Sequence, residues 1–172
     1  MTKFRPPDRS EPEPPPGDET RAVVDIRAQD DILRARQASR GAAAAIGFGT
    51  VDQTRLATVV SELTRNALIY AGGGACRVLT RLTALERSIV IEVEDSGPGI
   101  ANVAGALTRG YSTGGGLGLG LAAVHKLMDD LTIETCPGHT LVRAGMTRRR
   151  CAGRRASRTR PSSGRPSRGR TS

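Results

Sequence analysis

TVDQTRLATVVSELTRNALIYAGGG (residues 50–74) is the stretch on which the fold turns. Val51, Leu56, Val59, Val60, Leu63, Ala67 and Leu68 recur near the helical period, with Thr50 placed to cap the helix and AGGG to end it. Glu62, Arg65 and Asn66 interrupt this apolar run. Glu62 and Asn66 are four residues apart and share one face of a helix. A buried polar group without a partner costs about 1–3 kcal/mol. That face therefore meets partners within the protein or borders a cavity where something else binds.

On the N-terminal side, AVVDIRA (22–28) reads as a strand, and Asp30 and Asp31 can cap a helix through ILRARQASRGAAAAIG (32–47), weakened by Gly41. On the C-terminal side, ACRVLTRL (75–82) and SIVIEVED (88–95) read as strands joined by a polar turn. SGPGI breaks the second of them. A glycine-rich segment at 110–120 leads into a helix, LAAVHKLMDD (121–130), and LTIETC (131–136) and TLVRAGM (140–146) read as closing strands. The order β-α-α-β-β-loop-α-β-β predicts an α+β, two-layer sandwich: a mixed, mostly antiparallel sheet with its helices on one face.

The ends differ from this core. Residues 1–20 are rich in proline and acid and are expected to be a disordered N-terminal extension; residues 147–172 are Arg, Ser, Gly and Pro and are expected to be a disordered Arg-rich tail. The globular domain is placed at 21–146. The formal charge of +9 lies outside it: residues 21–142 hold twelve Lys/Arg and twelve Asp/Glu, whereas residues 143–172 hold eleven Arg and no acid. Nucleic acid is thereby set aside as a partner of the domain, leaving only non-specific contact through the tail. Whether that tail is a polyanion-binding extension or sequence read in a shifted frame, composition leaves open. Cys76, Cys136 and Cys151 are odd in number and lack metal-ligand spacing, so they read as reduced thiols of a cytoplasmic protein. No run approaches the roughly 20 apolar residues of a membrane span, and the N-terminus lacks the apolar core of a signal peptide.

Three features carry chemistry. Glu62 and Asn66 share a helix face. EDSGPGI (94–100) sets Asp95 at a strand end ahead of Gly97 and Gly99. STGGGLGLGL (112–121) runs into a helix. Glycine lets backbone approach a ligand closely, and a helix N-terminus offers free N–H groups to phosphate. An Asn carbonyl oxygen is a hard ligand suited to magnesium. A carboxylate at a strand end can accept from an adenine amino group, and a Glu nearby can take a proton from, or orient, an attacking hydroxyl. Each feature alone has a plainer reading: a surface ion pair for Glu62 and Arg65, a turn for DSGPG, a flexible loop for the glycines. The glycine run is not a P-loop, because no Lys-Ser/Thr follows it.

Taken together and in this order, ELTRN, EDSGPGI and GGGLGLGL resemble the N, G1 and G2 boxes of the GHKL ATPase superfamily, which includes histidine-kinase catalytic domains and anti-sigma regulatory factors. IGFGTVDQTRLATVVSELTRNALIYAGGG and GYSTGGGLGLGLAAVHKLMDDLTIET resemble, more narrowly, the RsbT-type serine/threonine switch kinases of the stressosome. The resemblance spans residues 22–146 and implies ATP and magnesium as cofactors. It implies Asn66 as the magnesium ligand, Glu62 as the catalytic base or hydroxyl-orienting group, and Asp95 as reader of the adenine amino group, with Gly97 and Gly99 shaping the pocket. Gly114, Gly115, Gly116, Leu117, Gly118, Leu119 and Gly120 would form the lid over the phosphates, and Thr140 would stand beside the adenine. Arg65 and Arg109 are weaker candidates for phosphate contact. His125 reads as structural and Tyr70 as a packing or pocket-rim residue.

One departure is PGHT (137–140), where the family has G-x-G-T. The implied activity is phosphorylation of a STAS-domain antagonist protein on serine or threonine, with an activator phosphatase as second partner. The alternatives are an RsbW-like anti-sigma factor that sequesters a sigma subunit, and a non-catalytic, nucleotide-dependent binding module. ALIYAG after Asn66 fits the switch kinase better, since sigma-binding relatives more often carry His there. A histidine-kinase fragment is disfavoured, because His125 and His139 are the only histidines and neither precedes the N box on a helical hairpin.

Overall fold

Alternating burial along the central strands decides which side of the sheet the helices take. The computed structural model, which describes residues 18–108 and 120–150, places five strands in one sheet: β1 (Asp18–Ile26), β2 (Gly74–Leu82), β3 (Glu86–Asp95), β4 (Asp130–Cys136) and β5 (His139–Arg149). Their spatial order is β1-β2-β3-β5-β4. All four pairings are antiparallel, so the sheet expected to be mixed is antiparallel throughout the described residues. Cys76, Val78 and Thr80 of β2, Ile89, Ile91 and Val93 of β3, and Val142, Ala144 and Met146 of β5 are buried. The register sets Cys76 opposite Val93, Val78 opposite Ile91, and Ile91 opposite Ala144, so these side chains form one face of the pleat. The opposite face is charged. Arg77 pairs with Glu94 at 2.8 Å, and Arg143 bridges Glu92 at 2.8 Å and Glu134 at 2.5 Å. One face packed and one wet is the ordinary condition of an antiparallel sheet.

Helices α1 (Gln29–Ala45) and α2 (Thr50–Ala71) cover the apolar face, followed by the single turn α3 (Val103–Ala106), which the sequence reading missed, and by α4 (Gly120–Leu127). Leu56, Val59, Val60, Leu63 and Ala67 form the buried stripe of α2. This is the i, i+3, i+4 pattern of a helix with one side in the core. Ile32, Ala35, Ala42 and Ala43 do the same for α1. Cys76 lies in this core, where burial pushes its thiol up to about 12, and it is chemically inert there. No helix among the described residues is long and apolar enough to cross a membrane.

Several boundaries differ from the sequence reading. The N-cap of α2 is Gly49, without a side-chain cap, and Thr50 is already helical. The N-cap of α1 is Ala28, and Asp31 acts from inside the first turn, its carboxylate accepting from the backbone N–H of Ala28 at 2.9 Å and of Arg27 at 3.0 Å. Those two bonds are the main reason that the Asp31 carboxyl is held below the usual range. α4 stops at Leu127, because Asp129 turns to bond β5 and Asp130 opens β4. β1 begins three residues ahead of the expected domain start at 21, and β5 runs three residues past its expected end at 146. The remainder of the two expected disordered extensions lies outside the described residues. α2 ends as the AGGG signal requires: Gly72 takes φ +72°, and the Gly73 N–H closes back on the Ala67 carbonyl at 3.1 Å.

Leu56 is fully buried. Leu56→Ala is expected to cost about 2–5 kcal/mol, and the solvent-facing control Ile69→Ala about 0.5 kcal/mol or less, both read from urea unfolding of the full chain.

Candidate functional site

The phase of α2 is set by its buried stripe, and that phase turns Glu62 and Asn66 together towards the start of α4. Both are half-buried. Gly120, the first residue of α4, lies so close that a Cβ placed there would come within 3.3 Å of Asn66 Nδ2 and 4.0 Å of Glu62 Oε2. Leu121, Ala122 and Val124 anchor α4 in the core, so this approach is fixed by packing. Glu62 Oε1 also receives Arg65 at 3.3 Å. The Arg65 side chain is half exposed, and a pair of this kind is worth at most about 1 kcal/mol. The carboxylate is readily released to another partner.

The other half is built at the end of the sheet. Asp95 closes β3 directly opposite Thr140 of β5. Both continue the pleat face that carries Val93 and Val142. Asp95 Oδ1 accepts the Gly97 N–H at 2.9 Å. A Cβ on Gly97 would meet Ala71 Cβ at 2.7 Å, so the loop after β3 seats against the end of α2 only with glycine there. Thr140 is buried, and its hydroxyl lies 3.1 Å from that of Thr135. Thr135 in turn accepts the Ile100 N–H at 2.9 Å. Thr135 was not singled out from sequence; only the strand register reveals that it braces Thr140. Gly99 packs on the carbonyl of Cys136.

The PGHT departure is absorbed locally. Pro137 and Gly138 form the two-residue connection between Cys136 and His139, which pair across the hairpin. Gly138 takes φ +88° and donates its N–H to the Gly97 carbonyl at 2.8 Å. Proline followed by a positive-φ glycine suits a tight turn, so one glycine serves at this position.

An open depression of about 460 Å³ at this end of the sheet runs from Asp25 and Arg27 past Gly72, Gly73 and Gly74 to Asp95. It reaches Asp95 but neither Glu62 nor Asn66, so the two halves meet along α2 rather than in one enclosed cavity. Tyr70 is about half exposed at the end of α2, and His125 is exposed on α4. Arg109 and the lid residues Gly114 to Leu119 lie outside the described residues.

Burial raises the Asp95 carboxyl above its ordinary value, against the pull of the Gly97 N–H and of His139. A carboxyl raised on folding gives a native state that holds its proton more tightly, and stability falls as pH rises through that window. Asp95→Asn is therefore expected to melt higher than the parent at neutral pH, with the gap closing as the pH drops below both values, in scanning calorimetry. Gly120→Ala is expected to displace Asn66 by a few tenths of an ångström. It should weaken nucleotide binding several-fold by titration calorimetry while leaving the melting temperature unchanged or higher, since Ala favours a helix.

The chain is similar to several known proteins. The family model for the histidine kinase-like ATPase domain matches residues 26–146. The serine/threonine-protein kinase RsbT of Bacillus subtilis is 41% identical over 117 residues, covering 68% of this chain and 88% of that protein. An anti-sigma F factor of Caldanaerobacter subterraneus is 36% identical over 91 residues, covering 50% of this chain and 64% of the factor. The probable sensor histidine kinase TcrY of Mycobacterium tuberculosis is 34% identical over 102 residues, 52% of this chain but only 21% of its own length. With a family match across most of its folded residues and an RsbT-like relative aligned over nearly its full length, the chain belongs to the histidine kinase-like ATPase family.

Proposed function

We propose that this chain is an ATP-dependent serine/threonine-protein kinase of the cytoplasm. Its substrate is a STAS-domain antagonist protein, and phosphorylation releases the kinase to an activator phosphatase in sigma-factor regulation. The observation that carries the reading is the pairing of Glu62 and Asn66 against the first residue of α4, in a chain 41% identical to a serine/threonine-protein kinase.

Asp95 accepts the adenine amino group, with Thr140 held beside it by Thr135. Asn66 offers its side-chain oxygen, a hard donor on a half-buried amide that the bare Cα of Gly120 leaves room to approach, so the residues present fit a magnesium ion. When bound, magnesium neutralises charge on the phosphate oxygens. Glu62 takes the proton of the acceptor hydroxyl as that oxygen bonds to the γ-phosphorus and the bond to the bridging oxygen breaks, leaving ADP. Positioning supplies much of the acceleration in such a transfer.

The test is phosphotransfer from γ-labelled ATP to a STAS-domain protein encoded beside this one. Label on the partner, lost in Asn66→Ala with the fold intact by circular dichroism, is the expected result. Unimpaired transfer by Asn66→Ala rejects the site. Nucleotide binding without transfer, together with retention of a sigma subunit, favours the sequestering role suggested by the anti-sigma F factor relatives.

A further inference from the structure

Arg148 lies in the stretch that composition assigned to the tail, yet it is folded into the end of β5, with about a quarter of its side chain exposed. Its guanidinium reaches two carboxylates on different elements. Nε and Nη2 bond both oxygens of Asp52, in the first turn of α2, at 2.9 Å each. Nη1 bonds Asp129, just after α4, at 2.8 Å. Asp129 is itself bonded to β5, accepting the Thr147 N–H at 2.8 Å and donating its own N–H to the Gly145 carbonyl at 2.9 Å. The planar fork of arginine suits a two-point grip on one carboxylate with a donor left for a second; lysine has no such fork.

We propose that Arg148 is a positioning residue for phosphoryl transfer: it fastens the start of α2 and the end of α4 to one strand and so fixes the gap between Asn66 and Gly120. The two helices touch near the site through Gly120 against Asn66 and Glu62, and Arg148 ties them at their other ends. With both ties in place, α4 cannot pivot away from α2. With the Asp52 tie cut, the core packing of Leu121 and Val124 and the Asp129 bonds to β5 still seat α4 on the sheet, but no charged tie holds the start of α2 to it, and the phosphate half of the site loosens. The nucleobase half hangs on different bonds, Asp95 with Gly97 and Thr140 with Thr135, and none of them passes through Arg148. This inference rests on the proposed assignment of Asn66 to the magnesium and phosphate half.

The test compares Arg148→Lys with the parent chain and with Arg143→Lys. Arg143 also bridges two carboxylates, but on the outer face of the sheet. Two readouts are taken. The first is amide hydrogen exchange, which needs no nucleotide: Arg148→Lys is expected to speed exchange in α4 and the first turns of α2 while β2 and β3 keep the parent rates. The second is nucleotide binding by titration calorimetry: affinity for MgATP is expected to fall roughly tenfold, while affinity for magnesium-free ADP changes far less, and Arg143→Lys matches the parent in both. Unchanged exchange in α4, or equal acceleration in every element, overturns the proposal, as does an equal loss of MgATP and ADP. Asp52→Asn, which keeps an acceptor but not the charge, is expected to repeat the pattern in weaker form; parent-like behaviour in both variants also overturns it. A parent chain that binds no MgATP while its exchange pattern responds to Arg148→Lys overturns the site assignment and leaves the tie itself standing.

Discussion

One helix must seal the sheet with one side and hold polar groups at working distance with the other, and this double duty of α2 governs the rest of the molecule. Its apolar stripe from Leu56 to Ala67 fixes how it is rotated about its own axis. Burying each large side chain in that stripe is worth about 1.5–3 kcal/mol, far more than a half-exposed ion pair such as Glu62 with Arg65 supplies. The packing therefore dictates where Glu62 and Asn66 point. They are placed by their neighbours rather than by their own contacts, and this leaves their polar atoms available to a ligand.

The sheet contributes through the same economy. Val93, Asp95, Val142 and Thr140 occupy one pleat face in consecutive pairs. Along this face the residues pass from apolar Val93 and Val142 to the Asp95 carboxylate and the buried Thr140 hydroxyl. This end of the candidate site is thus continuous with the hydrophobic core. The loop after β3 and the turn between β4 and β5 close that margin by bonding each other, Gly138 to Gly97 and Ile100 to Thr135.

Periodicity made much of this legible. The stripe of α2, the strands β2, β3 and β5, and the ordering of helix, strand end and glycine segment all follow from residue spacing. The caps were less visible, because Gly49 and Ala28 cap by backbone conformation and carry no side-chain signal, while the more obvious Thr50 and Asp31 lie inside their helices. Thr135 is unremarkable in an edge strand until the register sets it opposite Thr140. The Arg-rich surroundings of Arg148 give it the composition of a tail. Its partner Asp52 is 96 residues away, and no local pattern announces such a pair.

The charges on the outer face of the sheet are spent on one another: Arg77 on Glu94, and Arg143 on Glu92 and Glu134. A face so compensated projects little field beyond a Debye length of about 8 Å at physiological salt. The nine arginines of residues 149–172, with no acid among them, face no such cancellation in the sequence. Any attraction of this chain for a polyanion would therefore come from its Arg-rich end rather than from the outer face of the sheet, and would weaken with rising ionic strength.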